Sequence, residues 1–358
     1  MSTSIGAVQV HRVDARCYKQ QLSALFQRRQ KPELLQQFDW YYRAEGQPTP
    51  ISWVAQTADG YVCGLYSVTM RPLQYGGTTL HAGVMGNLIV EAGSRSTFAP
   101  FNLVRACKEL IRNHDLDILL GIPNELAEPW LVKNGFRVLG YWDTWAQVFR
   151  CGEALQHRFG RPGRLGAPLL NLAAQMNRTF SEWTADRQSA FQAIFLNSTE
   201  LDDLDIEHWA TRPDSFAFAA DPLFLRWRFL KSPMKHYDVV GIADSRTKRL
   251  QGYVVVESRP GRWLIWDCRT NTPQLSERDA ILTFCRSKQA QASTISITQL
   301  SSAPLAQELS RHGFVRVPQR LGGYPRFPLI AFWSPDHPLA AAFPEIARCN
   351  IFPGFNDL

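Results

Sequence analysis

The side chains with the most direct chemistry in this sequence are its cysteines. They are spread along the chain without any C-x-x-C pair: Cys17, Cys63, Cys107, Cys151, Cys268, Cys285 and Cys349. A disulfide framework or a zinc site would need them grouped at short spacings. Their odd number and wide spacing favour free, buried thiols in a reducing cytosol. We therefore expect a cytoplasmic protein that holds no metal.

The charge of the chain allows an anionic partner. The formal net charge is +7 and the isoelectric point is about 9.1, so a nucleic acid, a membrane surface or a phosphorylated cofactor are all compatible with it. The densest basic cluster is Arg158, Arg161 and Arg164, in the middle of the chain. No nucleic-acid-binding signature accompanies it, and we expect no nucleic-acid partner.

Length and composition predict a globular chain of two domains. The 358 residues, 45% hydrophobic and 20% charged, suffice for two cores of ordinary size. No apolar run approaches the ~18–20 residues that cross a bilayer, and Met1–Gln9 lacks the pattern of a secretory signal. We expect no transmembrane segment.

Two halves of the chain share an order of features. Trp40 and Trp227 lie 187 residues apart, and Gly64 and Gly252 lie 188 apart. Later, Asn134-Gly135-Phe136 is echoed by His312-Gly313-Phe314. Because order and spacing agree at low identity, an old duplication is favoured over chance similarity.

These features divide the chain into four parts. Residues 1–150 form a first domain, 151–182 a linker, 183–340 a second domain and 341–358 a C-terminal tail. Arg158–Gly166 is rich in Gly and Pro, which predicts a loop, and Leu169–Met176 predicts a short helix. The basic, partly apolar linker allows contact with a membrane surface, although a helix packed across the two domains is favoured.

The first half alternates helices and strands. Apolar residues recur on one face of Phe101–His114, and a glycine follows the predicted helix Glu125–Asn134. The predicted helices and strands, in chain order, are helices Tyr18–Gln30 and Lys31–Gln37, strands Ser52–Thr57, Tyr61–Arg71 and Thr79–Val90, helix Phe101–His114, strand Asp117–Ile122, helix Glu125–Asn134 and strand Phe136–Tyr141. This order predicts an α/β fold with a mixed sheet.

Four motifs in this order resemble the GNAT superfamily of acyl-CoA N-acyltransferases. They are the hairpin Trp53–Tyr66, Gly86–Val90 with the loop Ser94–Ala99 behind it, Gly121–Asn124, and Asn134–Phe136. The resemblance covers about residues 40–148, with a weaker copy over about 220–320. It implies two tandem acyltransferase-like domains, in a form similar to bacterial proteins associated with exopolysaccharide.

The resemblance also implies a place for an acyl-CoA, with acetyl-CoA first among the candidates. The strands Leu88–Glu91 and Leu119–Asn124 are expected to part and to receive the pantetheine arm, with the phosphates at the N-terminus of the next helix. The implied contacts are Leu88, Ile89, Val90, Arg95, Ser96, Thr97, Phe98, Ala99 and Asn124. Compared with the family phosphate motif Arg/Gln-x-x-Gly-x-Gly/Ala, Ser96 and Phe98 replace glycines. A degenerate pocket and a loop that has lost the ligand both remain open.

Candidate catalytic groups follow from the same resemblance. Asn87 stands where the family often has an acidic residue, and an amide is no base. Glu91 and His81 are the nearest titratable candidates for the base, and Tyr141 for the acid that reprotonates the thiolate. Each also has a purely structural interpretation: Glu91 as a turn residue, His81 as a surface strand residue and Tyr141 as a core residue. Asn87 and its counterpart Asp267 are candidates for contact with the substrate.

The sequence therefore leads to two main hypotheses. The first is an acyl-CoA-dependent N-acyltransferase that acts on an amine of a small polar metabolite or amino sugar, with polysaccharide biosynthesis as a candidate pathway. The alternative is a catalytically degenerate relative that serves as a binding or assembly factor. A third hypothesis is aminoacyl transfer to a peptidoglycan precursor, as in related tandem-domain ligases. Those ligases usually carry a long helical insertion, and the sequence shows none. The sequence leaves the oligomeric state open.

Overall fold

The computed structural model describes residues 8–43, 46–94, 98–150, 190–196, 200–201, 215–219, 221–272, 274–318 and 327–355. The helices within these residues are α1 (Lys19–Arg28), α2 (Pro32–Tyr42), α3 (Ala99–Arg112), α4 (Glu128–Lys133), α5 (Pro222–Leu225), α6 (Glu277–Lys288) and α7 (Pro304–Ser310). Short 3-10 turns cover Ala15–Tyr18, Ala92–Ser94, Phe343–Arg348 and Pro353–Phe355, and a π turn covers Arg226–Leu230. Within the described ranges, no helix is both long and apolar enough to span a membrane.

In the described part of the chain, 14 strands form one mixed sheet. The strands are β1 (Gln9–Val13), β2 (Ile51–Gln56), β3 (Val62–Tyr75), β4 (Thr78–Val90), β5 (Ile118–Gly121), β6 (Arg137–Val148), β7 (Phe191–Leu196), β8 (Ala217–Phe218), β9 (Tyr237–Asp244), β10 (Leu250–Arg259), β11 (Arg262–Thr270), β12 (Thr294–Leu300), β13 (Val315–Arg316) and β14 (Pro328–Phe332). Their order is β1-β2-β3-β4-β5-β14-β6-β12-β11-β10-β9-β7, with β8 on β3 and β13 on β6. The predicted α/β fold with a mixed sheet is confirmed.

From α1 to β6 the first half follows the predicted order of helices and strands, whereas β1, before α1, was not predicted. Leu103, Val104 and Cys107 lie on the buried face of α3 and pack on the sheet in one hydrophobic core. The turn between β2 and β3 has Gly60 at a φ of 85°, where glycine avoids the steric cost of a Cβ. The predicted helix Glu125–Asn134 is shorter, because the Asn124 side chain accepts hydrogen bonds from the N–H groups of Leu126 and Ala127 and holds a turn there.

The two halves have matching parts. Gly135 after α4 and Gly313 after α7 both have positive φ, 88° and 82°. In each half a hairpin leads to a strand that pairs in parallel with the strand after a helix: β4 with β5, and β11 with β12. β4 contains a bulge where it pairs with β3, and β11 contains one where it pairs with β10. The sequence repeat is therefore a repeat of structure.

Each half also receives a strand from the other half. β14, from the end of the chain, lies between β5 and the first part of β6. The second part of β6, from Trp142 to Val148, pairs with β12. β6 is longer than the predicted strand Phe136–Tyr141 because this added part belongs to the other half of the sheet. The exchange joins the two halves along the backbone as well as through side chains.

Candidate functional site

Strands β4 and β5 lie side by side over only a short length. Their parallel register holds at Ala82–Ile118, Gly83–Leu119 and Val84–Leu120. β4 continues to Val90 without a partner in β5, so backbone groups on this edge of the strand are open to hydrogen bonding by another molecule. The strands part after Val84 and Leu120, so Leu119 and Leu120, which were expected in the parted stretch, are paired with β4 instead.

A bulge in β4 lies at the point where the strands part. Leu65 pairs with Ile89 and Ser67 pairs with Gly86, so two residues of β4, Asn87 and Leu88, face Tyr66 alone. Asn87 has a φ of 51°, in the left-handed region where Asn is among the better-tolerated residues.

Buried hydroxyl groups hold this bulge from one side. The Asn87 amide donates to the Tyr42 hydroxyl at 3.3 Å, and that hydroxyl lies 2.9 Å from the Ser67 Oγ. Ser67 in turn lies 3.1 Å from the Ser52 Oγ. Burial raises the pKa of Tyr42 to about 12, so the phenol stays protonated at neutral pH. Asn87 therefore has a positioning contact with α2.

The gap is a cavity of about 240 Å³. It is bounded by the bulge of β4, the end of β5, the start of α4 and one residue of β14. The lining residues are Tyr66, Met85, Gly86, Asn87, Leu88, Gly121, Ile122, Pro123, Asn124, Ala127, Leu131 and Ile330. The volume is slightly below the range of drug-sized pockets and fits a narrow arm of a ligand.

Gly121 lies close to the Met85 side chain. A Cβ at Gly121 would lie 2.5 Å from the Met85 methyl carbon. The Tyr66 hydroxyl donates to the Met85 sulfur at 2.8 Å. Burial raises the pKa of Tyr66 well above its usual value. The inner wall of the cavity is thus apolar apart from one protonated phenol.

Four of the expected ligand contacts line the cavity or adjoin it. Leu88 and Asn124 are lining residues, although the Asn124 side chain also accepts from the N–H groups of Leu126 and Ala127. Ile89 and Val90 follow in β4 on the unpaired edge, opposite Leu65 and Gly64. The expectation that this stretch of β4 faces a ligand stays a prediction, consistent with the cavity.

The expected phosphate loop is described only in part. Arg95, Ser96 and Thr97 lie outside the described residues. Phe98 precedes α3 without a side-chain cap, and its ring is 78% exposed, away from the lining of the cavity. Ala99 is buried at the first position of α3, and Pro100, which has no N–H, follows it. The Phe98 ring is therefore open to solvent, and its contact with a ligand stays a prediction.

Glu91 has partners outside the gap. Its carboxylate accepts from the Arg28 Nε at 2.9 Å and from the Tyr61 hydroxyl at 2.5 Å. It is not among the residues that line the described cavity. A role for Glu91 as a base remains a prediction, and this geometry gives it a structural task.

His81 and Tyr141 also lie away from the cavity lining. The His81 side chain is exposed, and its backbone N–H donates to the Asp117 carboxylate at 2.7 Å, beyond the paired part of β4 and β5. The Tyr141 hydroxyl donates to the Glu128 carboxylate at 2.8 Å, at the start of α4. Of the three catalytic candidates, Tyr141 is thus linked to a helix that borders the gap.

In the second half, Asp267 lies at the bulge of β11 and is buried. It accepts from the Tyr253 hydroxyl at 3.0 Å and from the Cys268 N–H at 2.9 Å. Burial raises the pKa of its carboxyl group, opposed by the charge of Arg269. Contact of Asp267 with a substrate stays a prediction.

Sequence reasoning missed the inner wall of the cavity. Tyr66, Met85, Leu131 and Ile330 are core residues in the sequence pattern, and nothing in their type marks them as lining a site. Ile330 in particular comes from β14, more than 200 positions beyond the bulge. Only the strand exchange places it there. Within the described ranges, no cluster of three His, Cys, Asp or Glu could hold a metal ion.

Solved structures with a similar fold include three bacterial proteins. A probable N-acyltransferase from Enterococcus faecalis V583 is 10% identical, with a TM-score of 0.63, and the match covers 91% of this chain and 72% of that one. A GCN5-related N-acetyltransferase from Anabaena variabilis ATCC 29413 is 11% identical, with a TM-score of 0.61 over 90% and 72% of the two chains. Another from Kribbella flavida is 11% identical, with a TM-score of 0.53 over 92% and 72%.

Comparisons at the level of sequence give no such match. A scan against models of protein families finds none, and a search of curated proteins finds none. At 10–11% identity the structural likeness shows the fold alone. That fold is the GNAT acyltransferase fold, present here as two tandem copies.

Proposed function

We propose that the chain is an acyl-CoA-dependent N-acyltransferase whose site lies in the first half. The observation that carries this proposal is the gap between β4 and β5, which opens after three residue pairs at the bulge of β4. A thioester arm laid along β4 would take the place of the missing strand. Its amides would pair with backbone groups that have no partner in β5.

The cavity has the shape and polarity for such an arm. Met85, Leu131 and Ile330 line it and suit an apolar acyl group, and Asn87 and Asn124 add polar amides to the lining. The volume of about 240 Å³ leaves room for the reacting end of a long substrate. The nucleotide end would extend past α3, where first-turn N–H groups attract phosphate.

The chemistry needed at the bulge is direct transfer. An amine nitrogen attacks the thioester carbon, the carbon–sulfur bond breaks, and the thiolate leaves. Backbone N–H groups of Leu88–Val90 would stabilise the negative charge that develops on the carbonyl oxygen. The amine must lose a proton in this reaction, and the thiolate must gain one.

The described cavity lining contains no carboxylate or imidazole for that proton. Its polar side chains are the phenol of Tyr66 and the amides of Asn87 and Asn124. A buried phenol with a raised pKa is a poor base at neutral pH. We infer that the acceptor amine loses its proton to water, and that the acceptor is a small polar metabolite or amino sugar. A role in polysaccharide biosynthesis is part of the same proposal.

The alternative function is binding without turnover. It is favoured by the same observation, since Glu91 is engaged with Arg28 and Tyr61 and no described lining residue replaces it as a base. A binding or assembly factor would still take an acyl-CoA in the gap. The two functions differ only in whether product forms.

Thermal melting with acetyl-CoA tests the shared premise. We expect a ligand at 100 times its Kd to stabilise the folded chain by about 2.7 kcal/mol, seen as a rise in melting temperature. Ala127→Trp should remove this rise, because Ala127 lines the cavity and an indole would fill it. Leu126→Trp is the matched control, since Leu126 is 87% exposed and outside the lining.

The outcomes separate the two functions from each other. A rise in melting temperature with product in an amine-acceptor assay supports the enzyme. A rise without product across a panel of amino sugars and polyamines supports the binding factor. No rise at millimolar acetyl-CoA, or an equal rise in Ala127→Trp, contradicts the proposed site.

A further inference from the structure

The second half also has a gap between its parallel strands. β11 and β12 pair at four positions, from Arg262–Thr294 to Ile265–Ile297. Beyond Ile265 the bulge of β11 follows, and β11 continues to Thr270 without a partner in β12. This is the arrangement that produces the cavity in the first half.

In the second half the C-terminal segment, Cys349–Phe355, lies where the cavity would be. Its contacts reach both helices that border the gap. The Asn350 side-chain oxygen accepts from the Leu305 N–H at 3.3 Å in the first turn of α7. The Asn350 amide donates to the Glu277 carboxylate at 2.5 Å in the first turn of α6. One side chain thus links the two helix starts across the gap.

The backbone of this segment lies against the bulge itself. A Cβ at Gly354 would be 2.7 Å from the Trp266 carbonyl oxygen and 3.0 Å from the Phe229 ring. Only glycine allows so close an approach at this position. Because the φ of Gly354 is not in the left-handed region, a larger residue is excluded here by lack of space and not by backbone strain. Gly354 is buried, as are Phe352 and Phe355.

The apolar side chains of the segment complete two cores. Phe352 belongs to the core of the second half, together with Cys268 and Leu275. Phe355 stacks on Phe218 with ring centroids 4.6 Å apart. The space left beside Asp267 is about 20 Å³, enough for about one water molecule, compared with about 240 Å³ in the first gap.

We propose that the second gap is a ligand site whose ligand is the C-terminal segment of the same chain. The peptide takes the place in which a thioester arm would lie, and Asn350 supplies the polar contacts at the helix starts. The chain therefore has one site for an acyl-CoA, in the first half. Only this count of sites rests on the proposed function; the occupancy of the second gap does not.

Hydrogen exchange of the full chain, followed by mass spectrometry, tests the occupancy. Gly354→Ala places a Cβ against the Trp266 carbonyl, and we expect peptides that cover 265–270 and 349–355 to exchange about tenfold faster or more. Gly93→Ala is the matched control, because nothing lies within 4 Å of a Cβ there. Equal protection in Gly354→Ala and the natural chain would overturn the proposal.

A second variant keeps the test decisive if Gly354→Ala does not fold. Asn350→Ala removes both polar links and leaves the rings of the segment in place, so the same two peptides should lose protection without global unfolding. Unchanged exchange in a folded Asn350→Ala also counts against the proposal.

Calorimetric titration with acetyl-CoA tests the count of sites. We expect one molecule per chain, and two per chain would overturn the inference. Absence of any binding would contradict the proposed function of the first gap, while the exchange experiment would still decide the occupancy of the second.

Discussion

Trp40 and Trp227 contact each other as equivalent residues of the two halves. Their rings stack with centroids 4.9 Å apart and an interplanar angle of 17°. The Trp40 indole donates to the Trp227 carbonyl at 2.8 Å, and the Trp227 indole donates to the Trp40 carbonyl at 2.9 Å. Such reciprocity is the rule at a twofold interface between identical subunits. Here it joins the halves of one chain.

Removal of either indole N–H should weaken the junction of the halves. We expect Trp40→Phe and Trp227→Phe each to lower the free energy of unfolding by about 1–2 kcal/mol through the lost hydrogen bond, in addition to the loss of ring contacts. The double variant should show a coupling energy of about 0.5 kcal/mol or more, because the residues touch. Urea denaturation measures all three.

Trp145→Phe is the control for the size of the ring. The Trp145 N–H is buried and has no hydrogen-bond partner within the described part of the chain. Its loss should therefore cost less than the loss of the Trp40 or Trp227 N–H. Equal destabilisation by all three variants would show that the reciprocal bonds contribute nothing.

Asn87 should tolerate glycine better than a β-branched residue. Its φ of 51° costs a residue with a branched Cβ about 1–2 kcal/mol, whereas glycine adopts it freely. We expect Asn87→Gly to keep the thermal shift with acetyl-CoA and Asn87→Val to lose much of it together with stability. A folded Asn87→Val with an undiminished shift would contradict a role for this bulge in the site.

Much of the first half could be predicted from its sequence, because its elements are set by local patterns. The apolar face of α3 and the Gly60 turn are examples. The length of β6 and the position of Ile330 could not be predicted, because both depend on strands paired across the halves. The sequence predicted residues 341–358 as a C-terminal tail. Nothing in the composition of this segment indicates that it lies in the second gap.

The candidate site was predicted in position better than in chemistry. The parting of β4 and β5 follows from the order of motifs. The partners of Glu91 do not, because Arg28 is 63 positions away in the chain and only the fold brings it close. Glu91 was a candidate base because it is one of the nearest titratable residues in the sequence to the expected gap.

Buried tyrosines should make the fold sensitive to alkali. Burial raises the pKa of Tyr42 to about 12, and burial also raises those of Tyr66 and Tyr253 well above 10. The folded chain keeps these phenols protonated while the unfolded chain ionises them above pH 10. Stability is therefore full below pH 10 and falls as pH rises toward 12, by up to ~1.4 kcal/mol per pH unit for each phenol.

Tyr42→Phe should reduce the fall of unfolding free energy with pH by the contribution of one phenol. Urea denaturation between pH 8 and pH 11 measures it. Tyr18→Phe, at the partly exposed start of α1, controls for loss of a hydroxyl elsewhere. The same slope in Tyr42→Phe and the natural chain would show that this phenol does not contribute.

Glu91→Gln distinguishes a structural carboxylate from a catalytic one. The ion pair with Arg28 is partly exposed, with side-chain exposures of 33% for Arg28 and 22% for Glu91. We expect a loss of stability below about 1 kcal/mol and little change in the rate of acyl transfer. A fall in kcat of about a hundredfold or more, without loss of acetyl-CoA binding, would instead identify Glu91 as the base.

The first half should not fold without the second. A fragment of residues 1–150 lacks β14, so β5 would have an open, apolar edge on that side. We expect this fragment to aggregate when expressed alone and to become soluble when residues 183–358 are co-expressed. A soluble fragment with cooperative thermal unfolding would show that the exchanged strand is dispensable.

The exchange of strands also constrains how such a protein can change over generations. A duplicated unit is ordinarily free to decay or to be deleted once its twin does the work. Here each copy supplies a strand to the sheet of its twin, so loss of either copy would open the sheet of the other. A half that has no ligand pocket of its own would then persist because its strand completes the sheet of the other half.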